Sequence, residues 1–311
     1  MLEHRPSGMV GLACVMGLVL VGCTSPGRVA GPPTSSGATA PSTSTTSAPV
    51  TTTTEQPGWT PVSSTSRGIA VDEMTVTGAD GSQVTVARFR VGRTVFGLHV
   101  GSQDPPTGGL ALGPDAGPAV GGAERPSLLA AFNGGFMISD KVGGFEIDGQ
   151  VLSPLVPGVA SFVIDANGSG HIGVWNQDLP APGEQIVDVR QNLSPLVSGG
   201  QLSPRITTLS AWGPPLGGVP SVARSALGED AQGDILYAGS MSALPVDMGT
   251  ALVRAGATSA MELDINPEWV QLALAAGPGG ALSAGVPGQH RPADQYVTGW
   301  TRDFFTVLAK P

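Results

Sequence analysis

The 311-residue chain is 41% hydrophobic, enough for a substantial core, while aromatic residues make up only 5%. Its 46 glycines and 28 prolines predict many turns and little long helix. A formal net charge of -9 argues against a nucleic-acid partner, which needs a basic face, although an acidic average leaves room for a local cationic pocket.

Residues 1–22 read as a signal peptide: a weakly basic start (His4, Arg5) precedes an apolar segment from Met9 to Val21, too short for a comfortable membrane span. The segment ends in Leu20-Val21-Gly22-Cys23, which resembles a bacterial lipobox. That resemblance implies lipidation of Cys23, export, and anchoring to the outer face of a bacterial cytoplasmic membrane. The other cysteine, Cys14, lies in the segment to be removed, so no disulfide and no cysteine metal site are expected. Residues 23–66 are rich in Ser, Thr and Pro, with Arg28 and Glu55 as their charges. Such a composition buries too little apolar surface to offset its ordering entropy and predicts a disordered stalk.

Residues 67–311 carry the signals of one domain, α+β in class and β-rich, with mostly antiparallel strands and a few covering helices. Val84–Val91 and Thr94–Val100 predict a hairpin about Gly92-Arg93. Leu128–Met137 (LLAAFNGGFM) reads as a buried strand that breaks at Asn133. Gly134 and Gly135 either turn the chain or let backbone approach a partner closely. Asp148-Gly149 predicts a tight hairpin, and Asp165–Gly170 a turn between two further strands. Pro245–Ala257 has the apolar spacing of a helix with Gly256 as its stop. Strands follow at Thr258–Ile265, Trp269–Ala275 and Asp303–Leu308.

No nucleophile elbow, zinc motif or phosphate-binding loop is present, and His99, His171 and His290 have no spacing that suggests a triad or metal set. No metal and no cofactor are expected. Alternation along Ala260–Ile265 puts Glu262 and Asp264 on one face and Met261, Leu263 and Ile265 on the other. Two acids on such a strand either meet solvent or form a carboxyl pair of the kind glycoside cleavage uses. Arg224, among small and apolar residues, is either a packed ion-pair partner or a fork for an anionic oxygen.

Three blocks together resemble the phosphodiester glycosidase family, over roughly Leu128 to the C-terminus. They are Ala131-Phe132-Asn133-Gly134-Gly135-Phe136, the Arg224-Ser225-Ala226-Leu227-Gly228 strand, and the strand Ala260 to Asp264 after a helix. The resemblance implies a surface-anchored hydrolase that cleaves the sugar–phosphate bond of a phosphorylated glycan or cell-wall polysaccharide. Asn133, Arg224, Glu262 and Asp264 would be its catalytic residues, and Gly134, Gly135 and Asp148 would contact substrate. The chain departs from the family after Asp264: Ile265-Asn266-Pro267-Glu268-Trp269 stands where members carry a glycine-rich, serine-containing loop. The stiffer loop supports an alternative, a non-catalytic glycan- or wall-binding lipoprotein that keeps the fold.

Overall fold

The computed structural model describes residues 58–214 and 216–311; the expected signal peptide, Cys23 and most of the expected stalk lie outside them. Among the described residues, strands dominate. β1 (Thr60–Thr65), β2 (Gly68–Thr77), β3 (Gln83–Phe89) and β4 (Thr94–His99) come first. After a long connection come β5 (Leu128–Asn133), β6 (Phe145–Ile147), β7 (Gln150–Ser153), β8 (Ala160–Asp165), β9 (Gly170–Val174) and β10 (Ile186–Gln191). Then follow β11 (Val197–Ser198), β12 (Gln201–Leu202), β13 (Val222–Asp230), β14 (Ile235–Ala243), helix α1 (Pro245–Ala255) and β15 (Ala257–Glu262). β16 (Leu272–Ala275), β17 (Leu282–Ala284), the single-turn α2 (Gln295–Thr298) and β18 (Phe304–Ala309) complete the chain.

The strands form an eight-stranded sheet, β1-β2-β3-β14-β13-β15-β11-β12, and two five-stranded sheets, β7-β6-β10-β8-β9 and β17-β16-β5-β18-β4. Every strand pairing is antiparallel. The β-rich expectation is met, but the α+β label fits loosely, since α1 is the one helix longer than a turn among the described residues.

Alternation sorts the large sheet's two faces. On one side Val84, Val86, Ala226, Leu236, Ala238 and Ala260 pack with Met248, Ala251 and Leu252 of α1. On the other, Phe89, Leu227, Ile235, Tyr237 and Met261 join side chains of the two smaller sheets in the main core. Its centre is Phe132 of β5, stacked on Phe89 at 5.7 Å and tilted against Tyr237 and Phe305 at 5.2 and 5.3 Å. α1 begins as its sequence predicts: Pro245 occupies the first turn, and the Asp247 carboxylate accepts the Leu244 N–H at 3.0 Å. Gly256, at φ 106°, ends it in the left-handed conformation that glycine adopts most cheaply.

Two expectations need correction. The β3–β4 hairpin does not form: β3 is flanked by β2 and β14, whereas β4 pairs with β18 in another sheet. Both long edges of β3 are taken, so the chain leaves the sheet at Gly92. The ordered domain also begins before residue 67. Thr60–Thr65, expected in the stalk, is an edge strand paired with β2, and Trp59 lies against the Arg88 guanidinium at 3.7 Å.

Candidate active-site cavity

β5 delivers the Asn133–Phe136 stretch to the middle of the molecule, where the protein itself uses all of its polar groups. Asn133 is 2% exposed. Its Nδ2 donates to the Gly134 carbonyl (2.9 Å) and Ser225 Oγ (2.8 Å), while Oδ1 accepts from Tyr237 Oη (3.0 Å) and the Gln271 N–H (3.2 Å). An amide offers two donors and two acceptor sites, so nothing remains for a ligand. The expected hold of Asn133 on a sugar or phosphate oxygen is replaced by a cross-brace between β5, β13, β14 and the start of β16.

The two glycines do make room, but for side chains of the fold. A Cβ on Gly134 would fall 1.9 Å from Asp303 Oδ2, and one on Gly135 would fall 2.9 Å from the Arg190 guanidinium. Gly134 N–H donates to the Asp303 carbonyl (2.9 Å) and Gly135 N–H to Asp303 Oδ2 (3.2 Å). The Gly135 carbonyl accepts from Arg302 Nη2 (2.9 Å), and the Phe136 carbonyl from Arg190 Nη2. Phe136 N–H reaches Asn192 Oδ1 at 3.3 Å. These backbone groups, expected to face substrate, are paired internally.

Arg224 and Glu262 likewise close on each other. Both are 1% exposed, and Arg224 Nη1 donates to Glu262 Oε1. The same guanidinium also donates to the carbonyls of Ala243 (3.0 Å) and Trp212 (3.1 Å). Burial raises the Glu262 carboxyl to about 7 despite the opposing pull of Arg224. Arg224 is therefore the packed ion-pair partner rather than the open anion fork. Asp148 stands apart at the β6–β7 turn, with φ 50° beside Gly149 at 68°. Its exposed carboxylate accepts the Gly113 N–H at 2.7 Å and ties down a loop, and it does not line the cavity described next.

A cavity of about 430 Å³ opens beside Asp264, walled by Phe136, Val142, Leu193, Ile265 and Trp269, with polar positions at Asp140, Ser210 and Asn266. Of the expected catalytic residues, Asp264 is the one on this wall. It lies just past β15, where the pairing continues: Leu263 N–H donates to the Ser225 carbonyl, and Ser225 N–H to that of Asp264, both at 2.8 Å. Its Oδ1 accepts the N–H groups of Ile265 (2.7 Å) and Asn266 (2.9 Å), a turn that fixes the side chain, while Oδ2 lies 3.8 Å from Arg302 Nη2.

Behind Asp264 lies a buried charge cluster that sequence reasoning missed. Arg190 Nε donates to Asp303 Oδ2 at 2.7 Å. Arg302 stands 3.4 Å from Asp104 and 3.8 Å from Asp264, with its guanidinium 4.1 Å from the centre of the Trp269 ring. Three carboxyls thus share two guanidiniums. With all three ionised the cluster would hold a net negative charge in a dry setting, which is costly. Burial pushes Asp264 up to about 7, with Asp303 adding to the rise and Arg302 and the two backbone N–H groups opposing it. A proton on Asp264 neutralises the cluster. The available signal was Arg302-Asp303 itself, two adjacent charges opening an otherwise apolar strand.

The wall can stack a sugar ring on Trp269 or Phe136, hydrogen-bond its hydroxyls, and supply a carboxyl that is protonated near neutrality. No Lys or Arg lines it. Among the described residues, no group of three or more His, Asp or Glu is arranged to hold a metal ion.

No family model matches the chain, and neither does any curated protein. A hypothetical protein from Synechocystis is similar to 78% of this chain over 62% of its own, at 13% identity and a TM-score of 0.45. The zebrafish N-acetylglucosamine-1-phosphodiester alpha-N-acetylglucosaminidase catalytic domain, in a form auto-inhibited by its pro-peptide, is similar to 82% of the chain over 88% of its own, at 13% identity and a TM-score of 0.47, a depth of likeness that assigns the chain no family.

Proposed function

We propose that the domain is a glycan hydrolase that binds a sugar in the Trp269-walled cavity and cleaves its bond to a phosphate or other oxygen leaving group. The observation that carries this reading is Asp264, a buried carboxyl raised to about 7 on the wall of an aromatic-sided cavity. A carboxyl of that kind can give up a proton to a departing oxygen at neutral pH. Trp269 and Phe136 supply the apolar faces on which a sugar ring rests. In this reading the chain is exported, anchored through a lipid on Cys23, and acts on a phosphorylated glycan or cell-wall polysaccharide.

A second reading, a glycan-binding lipoprotein without catalysis, draws on one feature of the wall. A phosphate leaving group gains most from a cation, yet Arg224 is engaged by Glu262 and Arg302 lies under Trp269.

One experiment separates the two. The purified full-length chain is incubated with an N-acetylglucosamine 1-phosphodiester and with a panel of 4-nitrophenyl glycosides, and free sugar is measured. Hydrolysis predicts release, with kcat for poor leaving groups falling about 10²–10⁴-fold in Asp264→Asn. Saturable binding without release from any probe would overturn catalysis in favour of the second reading.

A further inference from the structure

Resting on the hydrolase reading, we propose that Asp140 is the second catalytic carboxylate of the site, the base that activates water. Glu262, the expected partner of Asp264, is sealed against Arg224 and does not line the cavity. Asp303 is 1% exposed and held by Arg190, and Asp104 lies against Arg302 away from the wall. Besides Asp264, the acid on the wall is Asp140. It is solvent-exposed, and its carboxylate takes part in no hydrogen bond or ion pair with the described residues, so it is free to meet a water and a substrate.

Its place is well determined. Asp140 closes the single-turn 3-10 helix Ile138–Asp140, where its N–H donates to the Met137 carbonyl at 2.9 Å. Lys141 N–H donates to the Ile138 carbonyl at 3.1 Å, with Lys141 left-handed at φ 57°. The Ile138 side chain packs on the main core. Four and five residues before Asp140, the Phe136 and Gly135 carbonyls are gripped by Arg190 and Arg302 respectively. The glycine stretch is thus the rigid mount from which Asp140 is carried to the cavity rim.

The step balances as a hydrolysis. A water oxygen bonds to the anomeric carbon while the carbon–oxygen bond to the leaving group breaks, its electron pair passing to the leaving oxygen. Asp140 takes one proton from the attacking water, and Asp264 gives its proton to the leaving oxygen. Exchange with solvent then returns both to their starting states. Because water attacks directly, the first-formed sugar has the anomeric configuration opposite to the substrate.

The test uses the full-length chain with an α-linked N-acetylglucosamine 1-phosphodiester and the 4-nitrophenyl glycoside of the same sugar. Asp140→Asn is expected to lower kcat about 10²-fold or more with KM little changed, and to flatten the acidic limb of the pH–rate profile. Asp140→Ala is expected to turn over the 4-nitrophenyl glycoside when azide is added, giving a glycosyl azide of inverted configuration. An unchanged thermal midpoint in both variants shows that the fold is intact. If Asp264→Asn abolishes release while Asp140→Asn leaves kcat within about threefold, the Asp140 assignment falls and the hydrolase reading stands. Retention of configuration in the first-formed sugar also overturns the base role. Absence of release by the unaltered chain overturns both.

Discussion

Arg224–Glu262 and Asp264–Asp140 are neighbouring charged sites with opposite designs. The first is an ion pair whose members are each 1% exposed, with the guanidinium further committed to two backbone carbonyls. The second sets a buried acid beside a free exposed one across open space. Glu262 and Asp264 are only two residues apart, yet β13 delivers a cation to the first and only a backbone and a hydroxyl to the second. A charged residue in a recognisable motif is therefore no guide to function until its partners are counted. Glu262 keeps one oxygen without a partner but is shut away from the cavity, whereas Asp264 lies on its wall; chemistry becomes possible where an acid meets open space.

The strongest way to break this contrast is to remove a charge from the sealed side. Arg190→Met leaves Asp303 buried without its partner and the Phe136 carbonyl without its donor. Loss of one member of a buried pair typically costs about 3–5 kcal/mol, and a shift of that size is expected in denaturant unfolding. A cost below about 1 kcal/mol would mean that Asp303 reaches water and that the cluster is not closed.

A smaller effect is expected from crowding the same region. Gly134→Ala places a methyl group where Asp303 Oδ2 now lies, 1.9 Å from the ideal Cβ. Since the carboxylate is held by Arg190, relief must come from a backbone shift, and overpacking of this kind costs about 1–3 kcal/mol. If these glycines instead faced a ligand, Gly134→Ala would keep its thermal midpoint and lose only affinity.

Local signals reached the elements better than their partners. Pro245 and Gly256 bound the helix, Asp148-Gly149 turned as expected, and alternation set Glu262 and Asp264 apart from Met261 and Leu263. Ile265, expected beside those two, instead lines the cavity with Asp264, because the strand has ended by then. The β3–β4 hairpin failed because β4 pairs with β18, some two hundred residues away, and no local rule carries that information. Thr60–Thr65 reads as stalk because an edge strand exposes much of its surface and needs few apolar residues. In the site, Asp264 was legible as an acid on an apolar strand. Arg302-Asp303 offered only an adjacent pair of charges before an apolar strand, and Arg190 offered nothing, since their role arises only when β10 and the start of β18 close around residues 134–136. Asp140 had no signal beyond its place four residues after Phe136.

The most delicate test of the open side is the pH dependence of stability. Folding raises Asp264 from its ordinary 3.8 to about 7, so between those values the native state binds protons that the unfolded chain has released. Stability from this group is therefore complete below about pH 4 and is lost as pH rises through about 7. Asn at 264 mimics the protonated acid: it keeps an oxygen for the Ile265 and Asn266 N–H groups but carries no charge at any pH. Asp264→Asn should match the unaltered chain near pH 4 and exceed it by about 1–2 kcal/mol at pH 8, less than a fully dry carboxylate would give, because Asp264 lies on the cavity wall. Glu262, also raised to about 7 and in part by the Asp264 charge, contributes to the slope of both proteins, less steeply in Asp264→Asn, which adds to the difference in the same direction. Urea unfolding of the two chains at intervals from pH 4 to 8 measures that difference directly. Parallel curves would show Asp264 already ionised at low pH, and with that the acid would lose the proton its role requires.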